Sequence, residues 1–265
     1  MTRVLSGAAL VLIAAAIVWF ASDILFVAAA EILLGLAFIE YMKIAGAHDL
    51  PMPGAVGMAC VVTSLAFSRL MFGGSTAIAL DVVLVSMTIA VGSMTLLLWR
   101  GGRDALPIAG AAMLPILYLG LPIGTLIAVR ETRGAEGLFL LMLTVMVSDT
   151  AQYYTGRLFG RRPLAPAISP KKTVEGAIGG FIFGPALLAG VGHWWLPDVP
   201  LAMRIALGAA VVALGIAGDL FESMLKRSAG VKDSGGLIPG HGGVLDRIDA
   251  LLFAAPIYYI FLKYV

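Results

Sequence analysis

A run of about 20 apolar residues is long enough to carry a helix across the roughly 30 Å hydrocarbon layer of a bilayer, and this chain strings several such runs together. They lie at 4–21, 24–45, 54–71, 76–98, 105–129, 137–155, 176–196, 201–222 and 249–264. Inside hydrocarbon every backbone N–H and C=O must be satisfied within the protein, which leaves helices or closed barrels. Barrel strands would show as alternating segments of about ten residues, whereas these runs are unbroken. The hydrophobic share of 60% also exceeds the roughly 45–50% of soluble domains. The expected fold is therefore all-α, a polytopic integral membrane protein of about nine transmembrane helices. The run at 105–129 contains Pro107, Pro115 and Pro122, which are expected to kink it or split it into two shorter helices.

Placing the N-terminus on the cytoplasmic side puts 13 of the 18 Lys and Arg on that face, as the positive-inside rule requires. The two longest polar loops, 156–175 and 223–248, then share that face. Met1 to Phe20 outlines a signal peptide, but its apolar run is longer than usual and no small-x-small cleavage site follows, so it is read as a retained first span. Cys60 is the only cysteine. It excludes an internal disulfide and a cysteine-based metal site and reads as a packing residue. Glu31 and Glu40, in or beside the second run, are open between lining a cavity and, for Glu40 next to Tyr41 and Lys43, an interfacial position. The chain is accordingly divided into N-terminal transmembrane helices, 1–135, with a packing, lipid-facing or oligomer-interface role, and a C-terminal catalytic region, 136–265.

Charge is concentrated between Asp219 and Asp249. An ionisable group at membrane depth is costly, so it faces a cavity or a partner and marks a functional site. Asp219, Glu222, Ser223 and Lys226 lie at offsets of three, four and seven on one helical face, suited to holding a divalent cation and an anion together. Ion pairs on a solvated helix end are the structural alternative. Lys232-Asp233 leads into Ser234-Gly235-Gly236 and Pro239-Gly240-His241-Gly242-Gly243. Such glycines free backbone N–H groups to face an oxyanion, and beside Lys226, Arg227, Lys232 and Arg247 the loop suits a polyphosphate. His241 is open between a phosphate contact, a metal ligand and a loop hydrogen bond. Asp246 and Asp249 share a face where the last run begins. Oxygen ligands of this kind suit Mg²⁺, which takes one or two carboxylates plus substrate phosphates.

Upstream, Asp149 sits in an apolar run with Gln152 and Tyr153 three and four residues on, on the same side. A buried carboxylate there needs a cation, a proton or several donors. The loop after it gathers Arg157, Arg161, Arg162, Lys171 and Lys172. In Ser169-Pro170-Lys171-Lys172-Thr173, Pro170 is expected to set a turn that brings two ammonium groups to the start of a helix. Cations are disfavoured there, which points to an anionic ligand.

Ser223-Met224-Leu225-Lys226-Arg227, Lys232-Asp233, Leu237, Pro239, His241-Gly242-Gly243 and Asp246-Arg247-Ile248-Asp249 together resemble the signature of the phosphatidate cytidylyltransferases, or CDP-diglyceride synthetases. The spacing between Lys232-Asp233 and His241 departs from that pattern, within the Gly-rich turn. Ser148-Asp149 and Ser169-Pro170-Lys171-Lys172-Thr173-x-Glu175-Gly176 are similar to the same family, so the likeness covers about residues 140–260. The resemblance implies an enzyme that converts CTP and phosphatidic acid to CDP-diacylglycerol and pyrophosphate with Mg²⁺. It implies catalytic roles for Asp219, Ser223, Lys226, Asp246 and Asp249. Metal binding falls to Asp219 and Asp246, with Asp249 or Asp149 as a further ligand and room for a second cation. Substrate contacts fall to Lys171, Lys172, Thr173, Glu175, Arg227, Lys232, Asp233, His241, Gly242, Gly243 and Arg247. The expected setting is the inner, cytoplasmic membrane with the site facing the cytoplasm, with membrane lipid as a partner, no nucleic acid, and a homodimer left open. The competing readings are a CTP-dependent polyprenol or phytol kinase, which would phosphorylate an alcohol, and a secondary transporter, which would show broken helices in paired halves.

Overall fold

The computed structural model describes residues 2–50, 54–68, 76–102, 104–237 and 242–265. Helix dominates it, as expected of an all-α membrane protein. Five helical stretches are long and apolar enough to cross a bilayer: Asp23–Gly46, Leu80–Leu98, Ala105–Phe159, Val174–Trp195 and Leu201–Ser228. Shorter apolar helices occupy Ala9–Phe20 and Gly54–Ala66. The chain folds as two compact units, one built from residues up to Thr132 together with Ala229–Arg247, the other from Arg133–Ser228 and Ile248–Val265. The Gly-rich charged segment after Ser228 thus packs with the N-terminal helices.

In the first unit, α1 (Thr2–Phe20) is followed at once by α2 (Asp23–Gly46), whose N-cap Ser22 accepts a hydrogen bond from Leu25 N. Arg130 closes the end of α1, donating from Nε to Val18 O at 2.8 Å and from Nη2 to Ala21 O at 3.4 Å. Carbonyls at a helix C-terminus are unsatisfied and carry partial negative charge, so a guanidinium suits them. Helices α3 (Gly54–Ala66), α4 (Thr76–Leu98) and α5 (Ala105–Pro115) follow. Cys60 is buried with a free thiol, in keeping with a packing role.

The proline-rich run is interrupted at Pro115, by a π turn and not by a loop. Pro115 ends α5, one π-helical turn covers Ile116–Gly120, and α6 (Leu121–Phe159) continues from it. Proline has no N–H to give the carbonyl four residues back, which here is Ala111 O. Tyr41 of α2 donates its hydroxyl to that carbonyl at 2.9 Å. The π turn absorbs the ring, and a side chain from another helix satisfies the acceptor that proline leaves open. A further break, between the apolar runs at 105–129 and 137–155, comes at Gly134, where φ is 72° and ψ is −173°, a left-handed conformation that favours glycine. It falls beside the boundary between the two units.

The second unit holds the remainder of α6, an antiparallel hairpin of β1 (Pro163–Ala165) and β2 (Ser169–Thr173), α7 (Val174–Trp195), α8 (Leu201–Ser228) and α9 (Leu245–Tyr264) from Ile248 onward. Lys171 and Lys172 therefore lie in a strand, and Pro170 occupies an extended position there instead of setting a turn. Helices α7 and α8 approach closely through glycine: a Cβ on Gly208 would lie 2.6 Å from Pro185 Cα, and one on Gly184 would overlap Val212. Small residues at such a contact let helix backbones meet where lipid supplies no hydrophobic drive. At one end of this unit Arg133 pairs with Asp198 and donates to Leu262 O at 2.6 Å, and Tyr258 donates to Gly137 O at 2.9 Å. The Arg133 hydrogen bond holds the Asp198 carboxyl below its usual range.

Gly208→Ala is expected to destabilise the protein by about 1–3 kcal/mol through overpacking. Gly190→Ala, in the same helix pair but with no atom within 4 Å of the added Cβ, is expected to be neutral or to stabilise by up to about 1 kcal/mol. Thermal unfolding of both variants in one detergent checks this, and equal shifts would contradict the packing assignment.

Candidate functional site

Helical spacing places the charges of α8. Ser223 lies one turn after Asp219 and donates Oγ to Asp219 Oδ1 at 3.3 Å. Lys226 lies one turn after Glu222, and the two form an ion pair in which Glu222 has no exposed surface and Lys226 only 8%. Taking either partner out of water is costly without the other. This pair is the structural arrangement weighed from the sequence, and it sits inside the protein instead of on a solvated end.

Asp219 reaches out of its own helix. Its Oδ2 meets Lys172 Nζ of β2 at 2.5 Å. The hairpin that presents Lys172 is held by α7. Glu175, in the first turn of α7, accepts from Arg161 N at 2.9 Å and Arg162 N at 3.2 Å. Thr173 N-caps the helix through Gly176 N at 3.1 Å. Thr173 and Glu175, assigned to substrate by resemblance, thus build the support under Lys172. Lys171, next along the strand, is exposed.

Asp149 on α6 and Asp249 on α9 lie within electrostatic reach of Asp219 and of one another, with Lys172 and Lys226 as the cations that face them. Asp149 accepts from Gln152 Nε2 at 3.0 Å, as the three-residue spacing suggested. Tyr153 does not join it: its ring is exposed and its hydroxyl accepts from Arg157 at 3.4 Å. Asp249 Oδ1 accepts from Ala250 N at 2.8 Å. Asp249 is brought beside Asp219 by a close crossing of α8 and α9, where a Cβ on Gly218 would lie 2.5 Å from Asp249 O. The second unit therefore assembles Asp149, Lys172, Asp219, Ser223, Glu222, Lys226 and Asp249. Asp149 and Asp219 face Lys172, while Lys226, paired with Glu222, is the cation that faces Asp249.

The first unit holds the Gly-rich segment. Asp246 Oδ2 accepts from Gly243 N at 2.7 Å, from Ser234 N at 3.0 Å and from Ser234 Oγ at 2.9 Å. Gly242 has φ 79°, a left-handed conformation, and a Cβ there would lie 2.5 Å from Asp246 Oδ2. An incoming phosphate would have to compete with Asp246 for the Gly243 N–H. Lys232, Asp233 and Arg247 are exposed along this segment and Arg227 at the end of α8. His241 lies outside the described residues. Glu40 is the residue whose part the sequence reading left open: it is fully buried and accepts hydrogen bonds from this same segment. The available signal was physical, since a carboxylate in an apolar helix needs several donors and a Gly-rich stretch supplies free amides.

A model of the cytidylyltransferase family matches residues 1–265. The chain belongs to the cytidylyltransferase family. Among curated proteins it is similar to a phosphatidate cytidylyltransferase of Haemophilus influenzae, 47% identical over 137 residues that cover 49% of this chain and 48% of that protein. It is also similar to one of Helicobacter pylori strain J99, 40% identical over 58% of this chain and 57% of that protein. A third, of Brucella suis biovar 1, is 37% identical over 215 residues, 74% of each chain. The chain spans about half the length of the first relatives it matches.

In this cytidylyltransferase-family chain Glu175→Ala is expected to raise amide exchange at Arg161 and Arg162 about tenfold, the effect of losing charge-assisted acceptors. Unchanged exchange there would mean that strand pairing alone holds the hairpin.

Proposed function

We propose that the protein transfers the cytidylyl group of CTP to phosphatidic acid, giving CDP-diacylglycerol and pyrophosphate. The observation that carries this reading is the group formed by Asp149, Lys172, Asp219 and Asp249 in a chain matched over its whole length by the cytidylyltransferase family. A lipid substrate accounts for a nucleotide enzyme made mostly of apolar helices: the acyl chains stay in the bilayer and the phosphate alone enters the polar site.

The donor set fits a hard divalent cation. Asp149, Asp219 and Asp249 lie within mutual reach and repel one another, and Lys172 and Lys226, the latter already paired with Glu222, do not balance them. Oxygen ligands of this type, completed by substrate phosphates, suit Mg²⁺. Among the described residues no three acidic, imidazole or thiol side chains converge closely enough to hold an ion alone, so phosphate oxygens would be needed to complete a shell. In the second unit Asp219 is the proposed ligand, with Asp149 or Asp249 as a further one, and in the first unit Asp246 is the proposed ligand. When bound, the ion would neutralise charge on the triphosphate.

The chain's own residues do the rest. Lys172, freed from Asp219 as substrate charge arrives, holds a phosphate, and Lys226, kept in place by Glu222, holds another. Lys171 and Arg227 in the second unit, and Lys232 and Arg247 in the first, are the further positive charges proposed for phosphate binding. Ser223 orients Asp219 and forms no covalent bond. An oxygen of the phosphatidate monoester attacks the α-phosphorus of CTP in line. The bond from that phosphorus to the bridging oxygen breaks, and pyrophosphate leaves with the electron pair. The Lys and Arg distribution supports placing this site at the cytoplasmic face of the inner membrane.

Purified protein given α-labelled CTP and phosphatidic acid is expected to form labelled CDP-lipid, to stop when Mg²⁺ is chelated, and to lose about 100-fold or more of its turnover in Asp219→Asn and in Asp246→Asn. Label on lipid only from γ-labelled CTP would indicate phosphoryl transfer to an alcohol. Near-normal turnover in both folded variants would overturn the metal assignment.

A further inference from the structure

Glu40 lies on α2 and has no exposed surface. Its two oxygens take three donors, all from a segment about 200 residues further along: Oε1 accepts from Val244 N at 3.0 Å, and Oε2 from Leu245 N at 2.8 Å and Ser234 Oγ at 3.0 Å. Val244 and Leu245 open α9, where unpaired amides and the helix dipole favour a negative charge.

The glycines beside it are shaped to this carboxylate. A Cβ on Gly235 would lie 2.5 Å from Glu40 Oε1, and one on Gly243 would overlap both Glu40 oxygens and Ser234 Oγ. Two of the glycines that read from sequence as a phosphate loop therefore make room for an internal anion. Ser234 joins Glu40 to Asp246, because the same Oγ lies 3.0 Å from Glu40 Oε2 and 2.9 Å from Asp246 Oδ2. A hydroxyl has one proton to donate, so it serves one carboxylate at a time. If Asp246 turns toward a cation, Glu40 keeps that hydroxyl satisfied and still holds both helix amides.

We propose that Glu40 is a positioning residue of the reaction: a buried anion on an N-terminal helix that latches Ser234 and the start of α9, and so sets the conformation in which Asp246 and its loop receive the CTP phosphates. This rests on the nucleotidyl-transfer reading for its consequence, though not for the latch itself. It also gives α2 a part in the chemistry beyond packing against lipid.

The test uses the full chain in detergent and compares wild type, Glu40→Gln and Ser234→Ala by hydrogen exchange and by kinetics with each substrate varied in turn. Gln turns an amide against one of the donors, so exchange in peptides covering 242–247 is expected to rise about tenfold, the scale of a lost charge-assisted bond. KM for CTP is expected to rise about tenfold as well, with KM for phosphatidic acid within about twofold. Ser234→Ala, which removes only the bridging hydroxyl, is expected to show a smaller change of the same kind, and it carries the test if Glu40→Gln fails to fold. Unchanged exchange at 242–247 in a folded variant would overturn the latch. Raised exchange with equal effects on both substrates, or with none, would make Glu40 a purely structural residue. Exchange is read without substrate, so a wild type that makes no CDP-lipid would sink the proposed activity and leave the latch to be decided on exchange alone.

Discussion

A charged side chain within an apolar helical protein has to find its counter-charge or its donors inside the protein, and each acidic group placed here obeys that constraint in its own way. Asp219 takes Lys172 from the hairpin, Glu222 takes Lys226 from its own helix, and Asp246 and Glu40 take backbone amides and one serine. The amides held by Glu40 and Asp246 decide how the Gly-rich segment begins α9. Glu222, with no exposed surface, fixes Lys226 in place. Asp219 with Lys172 keeps partial exposure on both side chains, which suits groups that exchange partners when a substrate arrives.

The supports beneath the site are as informative as the charges. Glu175 and Thr173 do not point at an empty space. They hold the entry to the hairpin and cap the helix, so that Lys172 is presented from a fixed strand. Pro115 shows the same economy in the first unit: a ring that removes one donor is tolerated because Tyr41 supplies another. Glycine serves two separate ends, close helix crossing at Gly208 and Gly218, and space for a carboxylate at Gly235 and Gly243.

Periodicity made much of this legible beforehand. The apolar runs gave the helices, and the offsets of three and four gave Ser223 with Asp219, Lys226 with Glu222 and Gln152 with Asp149, because neighbours on one helix face are set by its pitch. Links between elements were not legible in this way. Nothing in the spacing says that Lys172 and not Lys171 meets Asp219, since adjacent residues in a strand point to opposite sides and the strand itself was read as a turn. Glu40 was open between roles because its partners are 194 to 205 residues away. The gap between the apolar runs at 105–129 and 137–155 marks the stretch in which the long sixth helix breaks, but not that Gly134, through its positive φ, is the residue that breaks it.

The central claim is that the Asp219–Lys172 pair is there to handle substrate and not to hold the fold. A part-exposed ion pair kept for structure alone contributes little net stability, and a buried one can often be replaced by apolar residues of similar volume at no loss, so a structural pair replaced in this way would leave activity intact. The most direct measurement is therefore the double variant Lys172→Met with Asp219→Leu, followed for both thermal unfolding and CDP-lipid formation. The account predicts an unfolding temperature equal to or above that of wild type, with product formation lost. A double variant that still makes CDP-lipid at a near-normal rate would contradict it.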